Sequence, residues 1–147
     1  MKPNIRSRHH YSFIFQIQTR WADNDMYGHV NNVTYYSYFD TAANALLIQK
    51  AGFDVRQSPS IGLVVESHCQ FMQELSYPEI IEVGVAIRKL GNSSLCYDLA
   101  IFKQGQEAAS AQGYFTHVFV GRVTRKSTPI STEMRDALTS FLMNEEL

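Results

Sequence analysis

Arg20-Trp21-Ala22-Asp23-Asn24-Asp25-Met26-Tyr27-Gly28-His29-Val30-Asn31-Asn32, continuing as Val33-Thr34-Tyr35-Tyr36-Ser37-Tyr38-Phe39-Asp40-Thr41-Ala42-Ala43, is where the chain concentrates its chemistry. Asp23, Asn24 and Gly28 are turn formers that favour a compact loop. Beyond the loop, Tyr35, Tyr38, Phe39, Ala42, Ala43, Leu46 and Leu47 recur at the three- and four-residue spacing of one helix side, while Thr34, Ser37, Thr41 and Asn44 mark a more polar side. Asn31 or Asn32 suits the N-cap and Gly52 the C-terminal stop, so the spacing predicts a helix over about residues 31–50. A polar loop thus ends at a helix N-terminus.

On either side of this unit the residues alternate as half-buried strands do. Tyr11, Phe13, Phe15 and Ile17 share one face of a strand within 11–19. After the polar connection Arg56-Gln57-Ser58-Pro59-Ser60 come Ile61, Leu63, Val65, Cys69 and Phe71, then a break at Ser76-Tyr77-Pro78, then Ile81, Val83, Val85 and Ile87. Gly91-Asn92-Ser93 turns the chain into Leu95, Tyr97, Leu99 and Ile101, and Lys103-Gln104-Gly105-Gln106 into a last run from Glu107 to Val120. These runs are expected to form four successive antiparallel strands. Ser131 is placed to cap a short surface helix carrying Met134, Leu138, Phe141 and Leu142. Strand, helix, four strands and helix make an α+β architecture, in which one long apolar helix and one twisted antiparallel sheet bury each other's apolar faces. No repeat, low-complexity tract or linker divides the chain, and 147 residues suffice for one core, so residues 1–147 are expected to form a single domain with its core over about 11–143.

Composition narrows the function classes. Hydrophobic residues make up 45% and charged residues 18%, which is globular, and no apolar run approaches the length of a membrane span. Thirteen basic against fourteen acidic residues leave a net charge of -1, without the basic field that attracts nucleic acid. Neither a nucleic-acid nor a membrane partner is expected. Cys69 and Cys96 lie in strand-like runs, not in a C-x-x-C pattern, and the N-terminus lacks the layout of a signal peptide; a reduced, cytoplasmic chain follows as the expectation. His9-His10 is too short for a metal tract and is expected to belong to a solvated N-terminus.

Several chemistries fail in the opening stretch. Read as a calcium loop, Asp23-x-Asp25 with Gly28 at position 6 would put Tyr27 at position 5 and Thr34 where a bidentate glutamate belongs. Zinc would find Asp23, Asp25 and His29 but no second histidine at helical spacing and no nearby cysteine, so no metal is expected. There is no G-x-S-x-G nucleophile elbow and no glycine-rich phosphate loop. What remains is a carboxylate beside a helix N-terminus, whose unpaired N–H groups can polarise a carbonyl or stabilise an oxyanion. Acyl transfer fits without any cofactor. The plainer alternative is that Asp25 and Asn31 only cap turns and the helix.

The run Arg20-Trp21-x-Asp23-x-Asp25-x-x-Gly28-His29-Val30-Asn31-Asn32-x-x-Tyr35, with Tyr38-Phe39-Asp40 downstream, resembles the signature of the hotdog-fold acyl-CoA thioesterases of the 4-hydroxybenzoyl-CoA thioesterase type. That resemblance implies a five-stranded antiparallel sheet wrapped around one long central helix, plus a short C-terminal helix, and hydrolysis of an acyl-CoA to free CoA and a carboxylic acid. It implies that Asp25 is the catalytic nucleophile or general base and that the Asn32 backbone N–H is the oxyanion donor. His29 and Asn31 then shape the loop and contact the acyl group or water, with Tyr27 beside them at the substrate. Asp40 aligns with a helix aspartate that faces the acyl pocket, although a partly buried aspartate bonded to its neighbours is the blander reading. Asp23 is read as a turn residue or partner of Arg20.

Glu66 and His68 are expected near the partner's site in a dimer, with a solvated strand face as the simpler account. The resemblance has one departure: the basic cluster that holds nucleotide phosphates in the turn between the third and fourth strands is replaced by Gly91-Asn92-Ser93. Arg88 and Lys89, followed by Arg122, Arg125 and Lys126, are the available cations for CoA. Hotdog domains pair edge to edge, so a homodimer or homotetramer with interfacial active sites is implied. An acyl carrier protein thioesterase and a non-catalytic acyl-CoA-binding module remain open alternatives.

Overall fold

The computed structural model describes residues 4–143. β1 (Phe13–Gln18) leads through a short 3-10 turn into α1 (Asn32–Ala51), followed by β2 (Ser60–Phe71), β3 (Ile80–Leu90), β4 (Ser94–Lys103), β5 (Ala111–Gly121) and α2 (Thr132–Thr139). The five strands form one antiparallel sheet in the order β1-β3-β4-β5-β2. This is the hotdog architecture, with α1 packed on one face of the sheet.

α1 forms for the reasons legible in its sequence. The Asn31 side chain accepts the Val33 N–H at the start, and Gly52 ends the helix at φ 65°, a left-handed conformation that glycine adopts without steric penalty. All seven residues at helical spacing, Tyr35 to Leu47, are buried, and Ala42 and Ala43 let the helix approach the sheet closely. Met134 and Leu138 of α2 join the same core, and the Ser131 side chain caps α2 by accepting the Met134 N–H.

The strands follow one another along the chain as expected, but not in space. β2 lies beside β5, on the opposite edge from β1, so the chain crosses to reach β3. Residues 72–79 make that crossing and carry the fully buried Leu75. β5 begins at Ala111 and not at Glu107, because residues 107–109 pair with the N-terminal segment instead: Arg8 N–H donates to Glu107 O, and Ala109 N–H to Arg6 O. The N-terminal segment is therefore strapped to the sheet, a correction to its reading as solvated, although His9 and His10 themselves remain exposed. What anchors it is Asp98, fully buried on the sheet face away from α1. Its carboxylate accepts from the Tyr11 hydroxyl (2.6 Å) and lies 2.7 Å from both the Arg6 and Arg88 guanidinium groups. The Tyr11 hydroxyl is made harder to ionise by burial and by the Asp98 charge.

Under α1, the Tyr97 hydroxyl and His117 Nδ1 are paired at 2.9 Å within an aromatic cluster that includes Phe115 and Phe119. Gly62 on β2 makes room for the imidazole, since a Cβ there would meet His117 Cγ at 2.9 Å. Burial pushes the His117 pKa down to about 4 from its ordinary 6.5. A depressed histidine pKa means that the unfolded chain binds the proton more readily, so the stability it contributes is complete above pH 6.5 and is lost as pH falls towards 4. Between pH 7.5 and pH 5 this group should remove about 2 kcal/mol of unfolding free energy. Urea unfolding at the two pH values checks it: the difference should shrink by about that amount in His117→Gln, and an unchanged difference would contradict the assignment.

Candidate active site

The loop 24–30 is a tight reversal held by its own backbone. Asn24 bridges Val30, the Asp25 N–H donates to His29 O (2.9 Å), and the Gly28 N–H donates to Asp25 O (3.1 Å). Gly28 sits at φ 88°, where a side chain would strain the turn. The Asp25 Oδ1 accepts the Tyr27 N–H at 2.9 Å. Asp25 is half-exposed, and Oδ2 has no hydrogen-bond partner among the described residues.

Its neighbour two residues earlier is in a different state. Asp23 is buried and accepts from the Arg20 N–H (2.8 Å), the Arg20 guanidinium and the Tyr38 hydroxyl (2.8 Å). Its backbone carbonyl accepts the Asn31 N–H. Asp23 therefore ties the loop to α1, in the Arg20 partnership the sequence suggested. Burial and the Asp23 carboxylate together raise the Tyr38 pKa.

The crossover from β2 to β3 closes the site from the other side. The Val30 N–H donates to Leu75 O (2.7 Å), the Ser76 hydroxyl to Gly28 O (3.0 Å), and the Tyr77 N–H to the Asn24 side chain (3.1 Å). Between loop, crossover and the start of α1 lies a cleft of about 330 Å³. Asp25, His29, Asn32 and Glu74 supply its polar lining; Val30, Tyr35, Phe71 and Met72 supply its apolar lining. The Tyr35 ring meets Phe71 edge to face at 4.9 Å. Asn31 is the N-cap, which leaves the Asn32 N–H in the first turn without a partner among the described residues. A carboxylate, an imidazole and an open helix N–H thus face one partly apolar cavity, the set needed to polarise a carbonyl and activate a nucleophile beside it.

Other expected site residues fall elsewhere within the chain. Tyr27 is exposed and stacks beside His29 with ring centroids 6.4 Å apart. Asp40 does not line the cleft: eight residues past Asn32, it is about 12 Å further along the helix and turned by roughly 80°. It borders a groove with Phe15 and Ile48, and it is exposed and bonded to Asn44, not partly buried. Glu66, Arg88 and Lys89 project from the sheet face opposite α1, so the sheet itself separates them from the cleft. Glu66 accepts the Tyr114 hydroxyl (2.8 Å); Arg88 bonds Asp98 and lies over the Tyr114 ring, 4.9 Å from its centroid. Arg122 is pinned to the Val55 and Ser58 carbonyls. Phe71, Met72 and Glu74 had no local signal as site residues, because only the crossover brings them to the loop.

A sequence model of the thioesterase-like superfamily matches residues 19–138, and the chain belongs to that superfamily. Among solved structures, the PA5185 protein of Pseudomonas aeruginosa strain PAO1 is 46% identical over 95% of this chain and 98% of its own, with a TM-score of 0.92. A DHNA-CoA thioesterase of Staphylococcus aureus, 24% identical over 84% of this chain and 83% of its own, shares the fold at a TM-score of 0.74. The uncharacterized protein YsmA of Bacillus subtilis is 26% identical over 85 residues, 58% of this chain; the chain spans little more than half, 57%, of that curated relative's length.

The two carboxylates predict unequal stability effects. Asp23→Ala strands a buried Tyr38 hydroxyl and an Arg20 contact and should cost about 2–4 kcal/mol in urea unfolding. Asp25→Asn, whose amide oxygen can still accept the exposed Tyr27 N–H, should stay within about 0.5 kcal/mol of wild type. Equal losses would contradict this division of roles.

Proposed function

We propose that the chain is an acyl-CoA thioesterase of the 4-hydroxybenzoyl-CoA thioesterase type, with Asp25 as nucleophile or general base. The observation that carries the reading is that the Asp25 carboxylate and the Asn32 N–H, unpartnered among the described residues, line one cleft with the apolar Tyr35, Phe71 and Met72. The acyl group enters against Tyr35 and Phe71, and the thioester oxygen accepts the Asn32 N–H. Attack on the carbonyl carbon, by Asp25 itself or by a water that Asp25 deprotonates, forms a tetrahedral oxyanion at the helix N-terminus. The C–S bond then breaks and CoA leaves as the thiolate, which takes its proton from Asp25 in the water route and from solvent in the anhydride route. A mixed anhydride on Asp25, where it forms, is opened by water to the same carboxylic acid. His29 and Asn31 hold the loop and contact water or the acyl group, and Tyr27, stacked beside His29, flanks them at the substrate. Neither metal nor cofactor takes part.

Asp25→Asn should lower kcat by about three orders of magnitude on whichever of acetyl-, hexanoyl- and benzoyl-CoA turns over fastest. Thiol release measures it: wild-type turnover in that variant would rule out Asp25 as the catalytic group, and no release by wild type would sink the thioesterase reading.

The partner belongs to the same proposal. β2 is a twelve-residue edge strand whose far side is unpaired among the described residues, and it exposes Leu63, Val64 and Val65. A second copy pairing along this edge makes a continuous sheet and removes an apolar edge from water. Sedimentation should therefore give a dimer or tetramer, and Val64→Lys with Val65→Lys should yield monomers; a monomeric wild type would contradict the pairing.

A further inference from the structure

Glu74 stands in the crossover, and both of its neighbours are fixed to other parts of the fold. The Gln73 N–H donates to Ser110 O (3.0 Å), and the buried Leu75 accepts from the Val30 N–H (2.7 Å). The Glu74 side chain is thereby delivered to the cleft next to His29, with Oε1 3.8 Å from Nε2. Tyr27 stacks along the imidazole, 23° from parallel. Ring plane and ring edge of His29 thus each have a neighbour, one on its own loop and one on the crossover.

We propose that Glu74 is a positioning residue for His29: its carboxylate accepts the Nε2–H of the neutral imidazole and fixes the tautomer with an unprotonated Nδ1. This inference rests on the hydrolysis proposed above. At 3.8 Å the pair is just beyond hydrogen-bond distance, and a small rotation of the exposed Glu74 side chain closes it. Glu74 is 78% exposed and His29 35%, and an acyl group in the cleft that both line displaces the water screening them. The Nδ1 lone pair is then free to accept a hydrogen from the hydrolytic water, a role that a mixture of tautomers fills only part of the time. The groups facing His29 are Asp25 and Tyr27 from its own loop, Glu74 from the crossover, and Asn32 and Tyr35 from α1. Of these, only Glu74 has a carboxylate paired with the imidazole among the described residues.

A fully buried orienting carboxylate is worth roughly 10⁴ in kcat, and an exposed one much less, so about a 10-fold effect is expected here. The experiment compares wild type, Glu74→Ala and Glu74→Asp by kcat and KM on acetyl-, hexanoyl- and benzoyl-CoA, and by the 15N spectrum of the neutral His29 imidazole. Glu74→Ala should lose the Nε2–H preference and about 10-fold in kcat with KM within about twofold, and Glu74→Asp should recover part of both. His29 nitrogen shifts in Glu74→Ala equal to wild type would overturn the proposal. So would a loss confined to KM, which would make Glu74 a substrate contact. Absence of thiol release by wild type on all three esters would defeat the thioesterase reading separately, and the nitrogen spectrum would still judge Glu74 by itself.

Discussion

The hydrogen bond from the Val30 N–H to the Leu75 carbonyl joins two pieces of chain that the sequence holds 45 residues apart, and the cleft depends on it. Val30 ends the loop that carries Asp25 and His29; Leu75 is the buried centre of the crossover. A bond of 2.7 Å between buried residues is not weakened by competing water, and its loss leaves an unsatisfied polar group on each side. The Ser76 and Asn24 contacts extend the same seam. With the seam closed, Phe71, Met72 and Glu74 form one wall of a cavity whose other walls are the loop and the first turn of α1.

The crossover exists because of strand order. Had β2 paired with β3, a short hairpin would have joined them and no chain would have passed the loop. β2 pairs with β5 instead, over eleven partner positions, and the connection must traverse the end of the sheet where α1 begins. The sheet's two faces then take separate tasks. One holds α1, the aromatic cluster around His117 and the cleft. The other holds the N-terminal strap, gathered by Asp98, and the Arg88–Tyr114–Glu66 contacts.

Local signals in the sequence were enough for the elements and for half of the candidate site. The helical spacing from Tyr35 to Leu47, the Asn31 cap and the Gly52 stop are each local, and each is realised in α1. Asp25 and Asn32 adjoin one cleft because they lie seven residues apart across a glycine turn, which is again local. Glu74 and Phe71 were silent, since their place depends on a pairing between β2 and β5 that alternation alone does not specify. Arg88 and Asp40 misled for related reasons: an alternating strand conceals which face a cation takes next to the bulge between Ile87 and Lys89, and a motif aspartate two helical turns on need not share a wall with the first turn. The buried Asp98 was hidden in a run read only for its apolar residues.

The central claim is that the thioester lies between Asp25 and the N-terminus of α1. The most direct measurement is a crystal structure of the slow Asp25→Asn variant with intact benzoyl-CoA bound. The account predicts the thioester oxygen at hydrogen-bond distance, about 2.9 Å, from the Asn32 nitrogen, with the carbonyl carbon facing residue 25 and the acyl ring against Tyr35 and Phe71. A thioester bound on the opposite sheet face beside Arg88, or in the groove beside Asp40, would contradict it.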